Sequence, residues 1–383
     1  MPDQHYLGFE RDEILDKGGL DTATEIAGQP VLWREVYDLV LLKSNSLDSF
    51  LRPVFAISNL RVILTGAGSS AFVGEAAQGI FQSETGKLTQ AIASTDLVTH
   101  PSLYFLKDIP TLMVSFARSG NSPESYEAVR LANICCNTIF HLIITCNKNG
   151  DLLHHTKGKN VFTLLLPEKA NDKSLAMTGS FTSMLLTIVL IAKLNKINAQ
   201  LLPLKDLIET AKELLENYVP LIRDVSNHIF DRVIFLGSGP LLGIARECHL
   251  KLQELTDGKV ICKHDSFLGF RHGPRAVTNK KSLVIYLFSG DDKVFQYEKD
   301  LASSISSDSP EVPVIAVGRK IPGLQNVILH IEFVHSNEFV FIAATLLGQL
   351  MGFYQSIRLG LQPDNPSVSG SINRVVQGVT IYS

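Results

Sequence analysis

The sequence predicts an α/β protein in which one domain design is used twice, and three observations carry that prediction. First, Arg61-VILTGAGSSAFVGEAAQGIFQ and Arg232-VIFLGSGPLLGIARECHLKLQ share one shape: a β-branched run, a glycine-rich turn, then a small-residue helix. Val62 matches Val233, Gly66 matches Gly237 and Gly68 matches Gly239 without a gap. Second, later apolar runs keep nearly the same offset, Leu112-Met-Val-Ser against Leu283-Val-Ile-Tyr and His141-LIITCN against Pro313-VIAVG. Third, apolar strands alternate with helical patterns, the signature of βαβ units on a parallel sheet buried on both faces.

Taken in order, residues 1–50 read as a helical segment, with Pro30 followed by Val-Leu-Trp-Arg-Glu-Val-Tyr. Residues 51–200 form the first domain. Residues 201–219 read as a helix leading into the second domain, residues 218–360, whose last element is a long helix over 337–359. The tail, 361–383, is rich in Pro, Ser and Gly but ends in a β-like VVQGVTIY. A tail of that kind is expected to pack on the body and cover a site. The longest apolar stretches, 184–192 and 339–347, read as buried helices too short to span a bilayer.

The 383 residues are 45% apolar and 19% charged, with a net charge of −3. No basic excess points to nucleic acid or to an anionic membrane. The start, MPDQHYLGFERDE, lacks an apolar signal core, which places the protein in the cytoplasm. Five scattered cysteines (Cys135, Cys136, Cys146, Cys248, Cys262) show no zinc spacing and read as reduced core residues. No metal is expected.

Ligands of open α/β sheets sit beyond the carboxyl ends of the strands, so the strand-to-helix turns matter most. Gly66-Ala-Gly68-Ser69-Ser70 is one. Glycine allows close backbone approach, and a helix start offers N–H groups and a positive dipole end. The turn also satisfies GxGxxA, which keeps a dinucleotide reading open, as does plain helix capping by serine. In SFARSGNSPES, Arg118, Ser119, Gly120, Asn121 and Ser122 precede Pro123, which fits the first turn of a helix. Hydroxyls and N–H groups gathered there make a cradle for one phosphate, without a P-loop lysine. A third hydroxyl cluster, Thr178-Gly-Ser-Phe-Thr-Ser183, starts another helix. Further on, Glu247, Lys251 and Glu254 stand at i, i+4 and i+7, hence on one helix face. They read either as a solvated salt-bridge ladder or as carboxylates tuned by a lysine for proton transfer. His272, between Arg271 and Arg275 and held by Gly273-Pro274, is the best histidine candidate for acid–base work.

These motifs together resemble the sugar isomerase (SIS) family of phosphosugar-binding proteins. The Ser-x-Ser-Gly-x-Ser/Thr phosphate loop of that family matches residues 117–122, with Ala117 in place of the first serine. Glu25-Ile26-x-x-Gln29-Pro30 looks like the opening of the isomerase half of glucosamine-6-phosphate synthase, and PDNP…NRVVQGVTIY like the tagatose-6-phosphate ketose/aldose isomerase branch, which includes galactosamine-6-phosphate deaminases. The resemblance implies two tandem SIS domains, each a flavodoxin-like parallel sheet of about five strands flanked by helices, and no cofactor. It implies a phosphorylated hexose or hexosamine on Gly68, Ser69, Ser70, Arg118, Ser119, Gly120, Asn121, Ser122 and Thr178, with Glu247 nearby. It also implies that Glu254 moves a proton between sugar carbons, and that His272 opens the ring in a neighbouring subunit's site, hence a homodimer. Relatives carry a tail lysine at the sugar carbonyl; here the tail's basic residue is Arg374, which cannot form a Schiff base. Lys251 or Arg374 would then stabilise charge on oxygen. The preferred activity is deaminating isomerisation of galactosamine 6-phosphate. Plain tagatose/galactose-6-phosphate isomerisation and a non-catalytic phosphosugar sensor are the alternatives.

Overall fold

The computed structural model describes residues 6–335, 337–368, 370–375 and 378–382. Its strands are β1 (Arg61–Thr65), β2 (Leu88–Ala91), β3 (Thr111–Ala117), β4 (Ile139–Thr145), β5 (Val161–Leu165), β6 (Arg232–Leu236), β7 (Ile261–Asp265), β8 (Ser282–Leu287), β9 (Val314–Gly318) and β10 (Val327–Glu332). Its helices are α1 (Arg11–Asp16), α2 (Leu20–Leu42), α3 (Ser44–Phe55), α4 (Ser69–Thr85), α5 (Ser94–Thr99), α6 (Pro101–Tyr104), α7 (Pro123–Cys135), α8 (Asp151–His155), α9 (Gly179–Ala192), α10 (Leu201–Glu213), α11 (Val219–Ser226), α12 (Pro240–Leu255), α13 (Phe267–Phe270), α14 (Asp292–Asp308) and α15 (Thr345–Arg358).

The chain divides into two compact units. One holds residues 31–172, 179–201 and the tail from 372; the other holds the chain up to 30, 173–178 and 202–371. Each contains one five-stranded sheet with every pairing parallel, in the orders β2-β1-β3-β4-β5 and β10-β9-β8-β6-β7. The two orders are the same, so each sheet has one switch point, between β1 and β3 or between β6 and β8.

In the first unit β1 and β3 are buried at every position. Ile63, Met113 and Ile143 from the sheet pack against Leu97 of α5 and Ala128 and Val129 of α7. On the other face α4 lies close, because a Cβ at Gly74 would stand 3.1 Å from the Leu64 side chain. Helix α9 is buried throughout. Its Thr182 hydroxyl accepts the Trp33 indole N–H at 3.0 Å.

In the second unit, Ile234, Val284 and Tyr286 pack against Leu301 and Ile305 of α14. On the opposite side α15 lies against α12 with glycine at the meeting points. A Cβ on Gly348 would come within 2.5 Å of Cys248, and one on Gly352 within 2.6 Å of Leu255.

Helix α2 runs through Pro30, from Leu20 to Leu42, within the segment expected to be helical. Two expectations change. The last helix is shorter than 337–359, with a 3-10 turn over Val340–Ala344 before α15. Residues 340–358 are apolar and long enough to cross a bilayer, but most of that stretch is buried inside the protein. The described tail residues form no strand; Val376 and Gln377, in the middle of the β-like run, lie outside the described residues.

Candidate active site

The two glycine-rich turns have nearly the same backbone. Gly68 stands at φ 55°, ψ −131° before α4, and Gly239 at φ 56°, ψ −126° before α12. That region is open in practice only to glycine. Gly66 and Gly237 are required for a second reason. A Cβ would come within 2.6 Å of Ser70 at the first and 2.3 Å of the Leu241 carbonyl at the second.

In the first unit, Ser69 and Ser70 are the first residues of α4 and are buried. Neither α4, whose N-cap is Gly68, nor α7, whose N-cap is Ser122, is capped by its N-cap side chain. The loop between β3 and α7 is fastened to the turn after β4. Asn147 donates to the Ser119 carbonyl (2.7 Å), Leu152 N–H to the Gly120 carbonyl (2.9 Å) and Asp151 N–H to Asn121 Oδ1 (2.9 Å). Gly120 is again obligatory, at φ 68° and with a Cβ position 3.3 Å from Gly150 Cα. Ser122 Oγ lies 2.6 Å from Ser125 Oγ, at the positive end of α7. Arg118 is buried, and its guanidinium donates to the Arg374 carbonyl. The Arg374 guanidinium in turn donates to Asn171 Oδ1 (2.9 Å) and to the Asp172 carbonyl (2.9 Å). The tail arginine is thereby tied to Arg118. Burial pushes the neighbouring Cys146 thiol up, so that cysteine is no nucleophile.

Two hydroxyls of the third cluster bond inside the protein. Asp172 accepts from the Ser180 hydroxyl and N–H, and Thr182 serves Trp33. Thr178, in the other unit, is fully buried, and its carbonyl accepts from Gln349.

In the second unit, Lys251 on α12 is 1% exposed. Its Nζ lies 2.6 Å from Glu254 Oε2 and 3.5 Å from Glu247 Oε1. This is not a solvated ladder: Glu247 is fully buried and Glu254 keeps a quarter of its surface. Of the two carboxylates on this one ammonium, Glu254 is the member that a substrate could reach. Beside them His249 stacks on His264 of β7, with ring centroids 4.6 Å apart. Burial, then His249, Arg246 and Lys263, hold His264 down to about 4, and burial also lowers His249. Both imidazoles are therefore neutral at pH 7. The sequence singles out His272 and neither of these two; His249 lies within the Glu-Lys-Glu helix and His264 on the strand that follows it. His272 sits exposed in the turn after α13, followed by Gly273 at φ 110°.

Away from these residues, ligand atoms of Asp206, Glu209 and His335 lie within 4.8 Å of one another. His335 is within ion-pair distance of both carboxylates, and Asn337 donates to Asp206 at 2.7 Å.

A doubled parallel sheet with a hydroxyl-lined loop in one half and a buried Glu-Lys-Glu face in the other defines a phosphosugar-handling SIS protein. The SIS domain model matches residues 55–194. The chain is 38% identical to a protein of Shewanella sp. (strain ANA-3) named D-galactosamine-6-phosphate deaminase AgaS, across 98% of this chain and 95% of that one. The solved tagatose-6-phosphate ketose/aldose isomerase of Escherichia coli superposes with a TM-score of 0.87 at 34% identity, covering 95% and 97% of the two chains. The C-terminal domain of glucosamine-fructose-6-phosphate aminotransferase from Francisella tularensis shares the fold, with a TM-score of 0.77 at 19% identity over 93% and 98%. The chain belongs to the SIS-domain family, among these AgaS-type proteins.

Proposed function

We propose that the protein converts galactosamine 6-phosphate and water to tagatose 6-phosphate and ammonia, as a cytoplasmic homodimer that needs no cofactor. The observation that carries this reading is the buried Glu247–Lys251–Glu254 array, with Lys251 Nζ 2.6 Å from Glu254. A protein that only sensed the sugar would need no carboxylate held beside a buried ammonium. The relatives' names supply the amino sugar and its epimer.

In this reading the 6-phosphate is held by Ser70, Ser119, Ser122 and the N–H groups around Gly68, Gly120 and Asn121, with Ser69 and Arg118 beside them. Thr178 and Glu247 support the surrounding elements. His272, from the neighbouring subunit, assists opening of the ring to the C1 aldehyde. Glu254 takes the C2 proton, giving a 1,2-enolamine, and returns a proton to C1. The product is a C2 imine; water adds to it and ammonia leaves, so one water is consumed and one ammonia released. Lys251 holds the Glu254 carboxylate in place and stabilises charge on oxygen, and Arg374 orients an oxygen at the first-half site.

The test is ammonia release from galactosamine 6-phosphate and glucosamine 6-phosphate in parallel. Rapid release from the galacto sugar alone is expected. No release from either would remove the deaminase, and the assay would then pass to tagatose/galactose-6-phosphate exchange.

A further inference from the structure

The two cradles share a backbone but not an occupant. In the first half, residues 118–122 join β3 to α7 and carry hydroxyls and an amide. In the second half, residues 288–291 join β8 to α14 and end in a carboxylate, Asp291, which caps α14 by accepting from the Lys293 and Val294 N–H groups, both at 2.9 Å. A second carboxylate follows. Glu298, inside α14 and fully buried, turns back to the strand ends. Its Oε2 accepts the Ser289 N–H at 2.8 Å. The Ser238 hydroxyl, between Gly237 and Gly239, lies near enough to the same carboxylate to favour its charged form. Oε1 is buried with no hydrogen-bond partner among the described residues.

A side chain wanted only for packing would be apolar here, because a buried carboxylate without an ion-pair partner is costly. Burial does raise the carboxyl's proton affinity, and the Ser289 N–H and the Ser238 hydroxyl oppose that rise. What the carboxylate does, and a methyl group cannot, is attract a main-chain N–H and a serine hydroxyl at once. Those are the donor types that the first half offers to a phosphate. They belong to the turns after β6 and β8, which flank the switch point of this sheet.

We propose that Glu298 is a built-in anion: it fills the second cradle in place of a phosphate and, through Ser238, positions the head of α12. Each chain therefore binds one phosphosugar, in its first half, and Glu298 is a positioning residue for Glu254. The catalytic part of this inference rests on the function proposed above; the occupancy part does not.

The test uses full-length Glu298→Ala with formate, a small carboxylate, and formamide, its neutral analogue. Turnover of Glu298→Ala should fall about tenfold or more, with KM within about threefold of wild type. Formate should raise both the Tm and kcat of this variant, and formamide neither. Wild-type kcat in Glu298→Ala would overturn the proposal. So would a raised KM at unchanged kcat, which would make the second cradle a substrate site, or equal effects of formate and formamide. If the alanine variant does not fold, Glu298→Gln decides: unchanged Tm and turnover would overturn the proposal, whereas a loss of both is expected. The Tm response to formate needs no turnover, so a chain that fails to release ammonia would sink the deaminase reading and leave this one standing.

Discussion

The first sheet ends in hydroxyls and the second in carboxylates, although the glycines before α4 and α12 differ by only 1° in φ and 5° in ψ. In the first half neither helix is closed by its N-cap side chain. In the second, Asp291 and Glu298 close the corresponding space, and the helix that follows Gly239 carries the ion array instead. The same backbone can thus hold a ligand or hold itself together, and a few side chains decide which. Fold and function separate here inside one chain, between two copies of a single motif.

The division of labour can be broken most sharply at Glu254. Glu254→Gln should lower kcat by about 10²–10⁴-fold with KM nearly unchanged. Full activity in steady-state assays would end its proton-transfer role. The equivalence of the two backbones is tested next, by Gly68→Ala and Gly239→Ala. No atom lies within 4 Å of either would-be Cβ, so each substitution should cost only the backbone strain, about 1–3 kcal/mol and equal in the two. Denaturant titration giving clearly unequal losses would show that the two turns are not the same structure.

Acid should also single out one strand of the first sheet. His141, buried on β4, is held down to about 4 by burial, whereas β9, the matching strand, is VIAVG. Between the ordinary histidine value of about 6.5 and about 4, the unfolded chain binds a proton that the folded chain does not, so stability falls as pH falls through that window. His141→Gln should therefore lose about 2 kcal/mol less than wild type between pH 7 and pH 5 in urea titrations. The smallest effect is expected at the cradle: Ser119→Ala should raise KM about tenfold and leave kcat in place. A fall in kcat instead would move Ser119 from binding into chemistry.

Much of this was legible in the sequence because it depends on local rules. The duplicated Val-Ile…Gly-x-Gly marks both turns, since no other residue takes their backbone angles. The i, i+4, i+7 spacing puts Glu247, Lys251 and Glu254 on one face. What the spacing could not give was burial, because that depends on α15, whose glycines lie almost a hundred residues downstream. Glu298 was invisible for a similar reason: its partners, Ser289 and Ser238, belong to two separate turns, and a glutamate inside a helix ordinarily faces water. In the Thr178–Ser183 cluster, the Ser180 and Thr182 hydroxyls bond to Asp172 and Trp33, which the local spacing could not show. Arg374 could be placed only once Asn171 and the Asp172 carbonyl were seen to hold it.

The glycines of α15 have one further consequence. Where a Cβ would strike Cys248 or Leu255, the two helices touch almost main chain to main chain, and α12 has no room to roll or to slide by a turn. Glu254 therefore rides on an immobile rod. Any opening and closing during a reaction cycle falls to turns and tail, and so does any drift in which sugar is accepted. Over evolutionary time such a molecule could change its diet by editing loops while its proton chemistry stayed where it was.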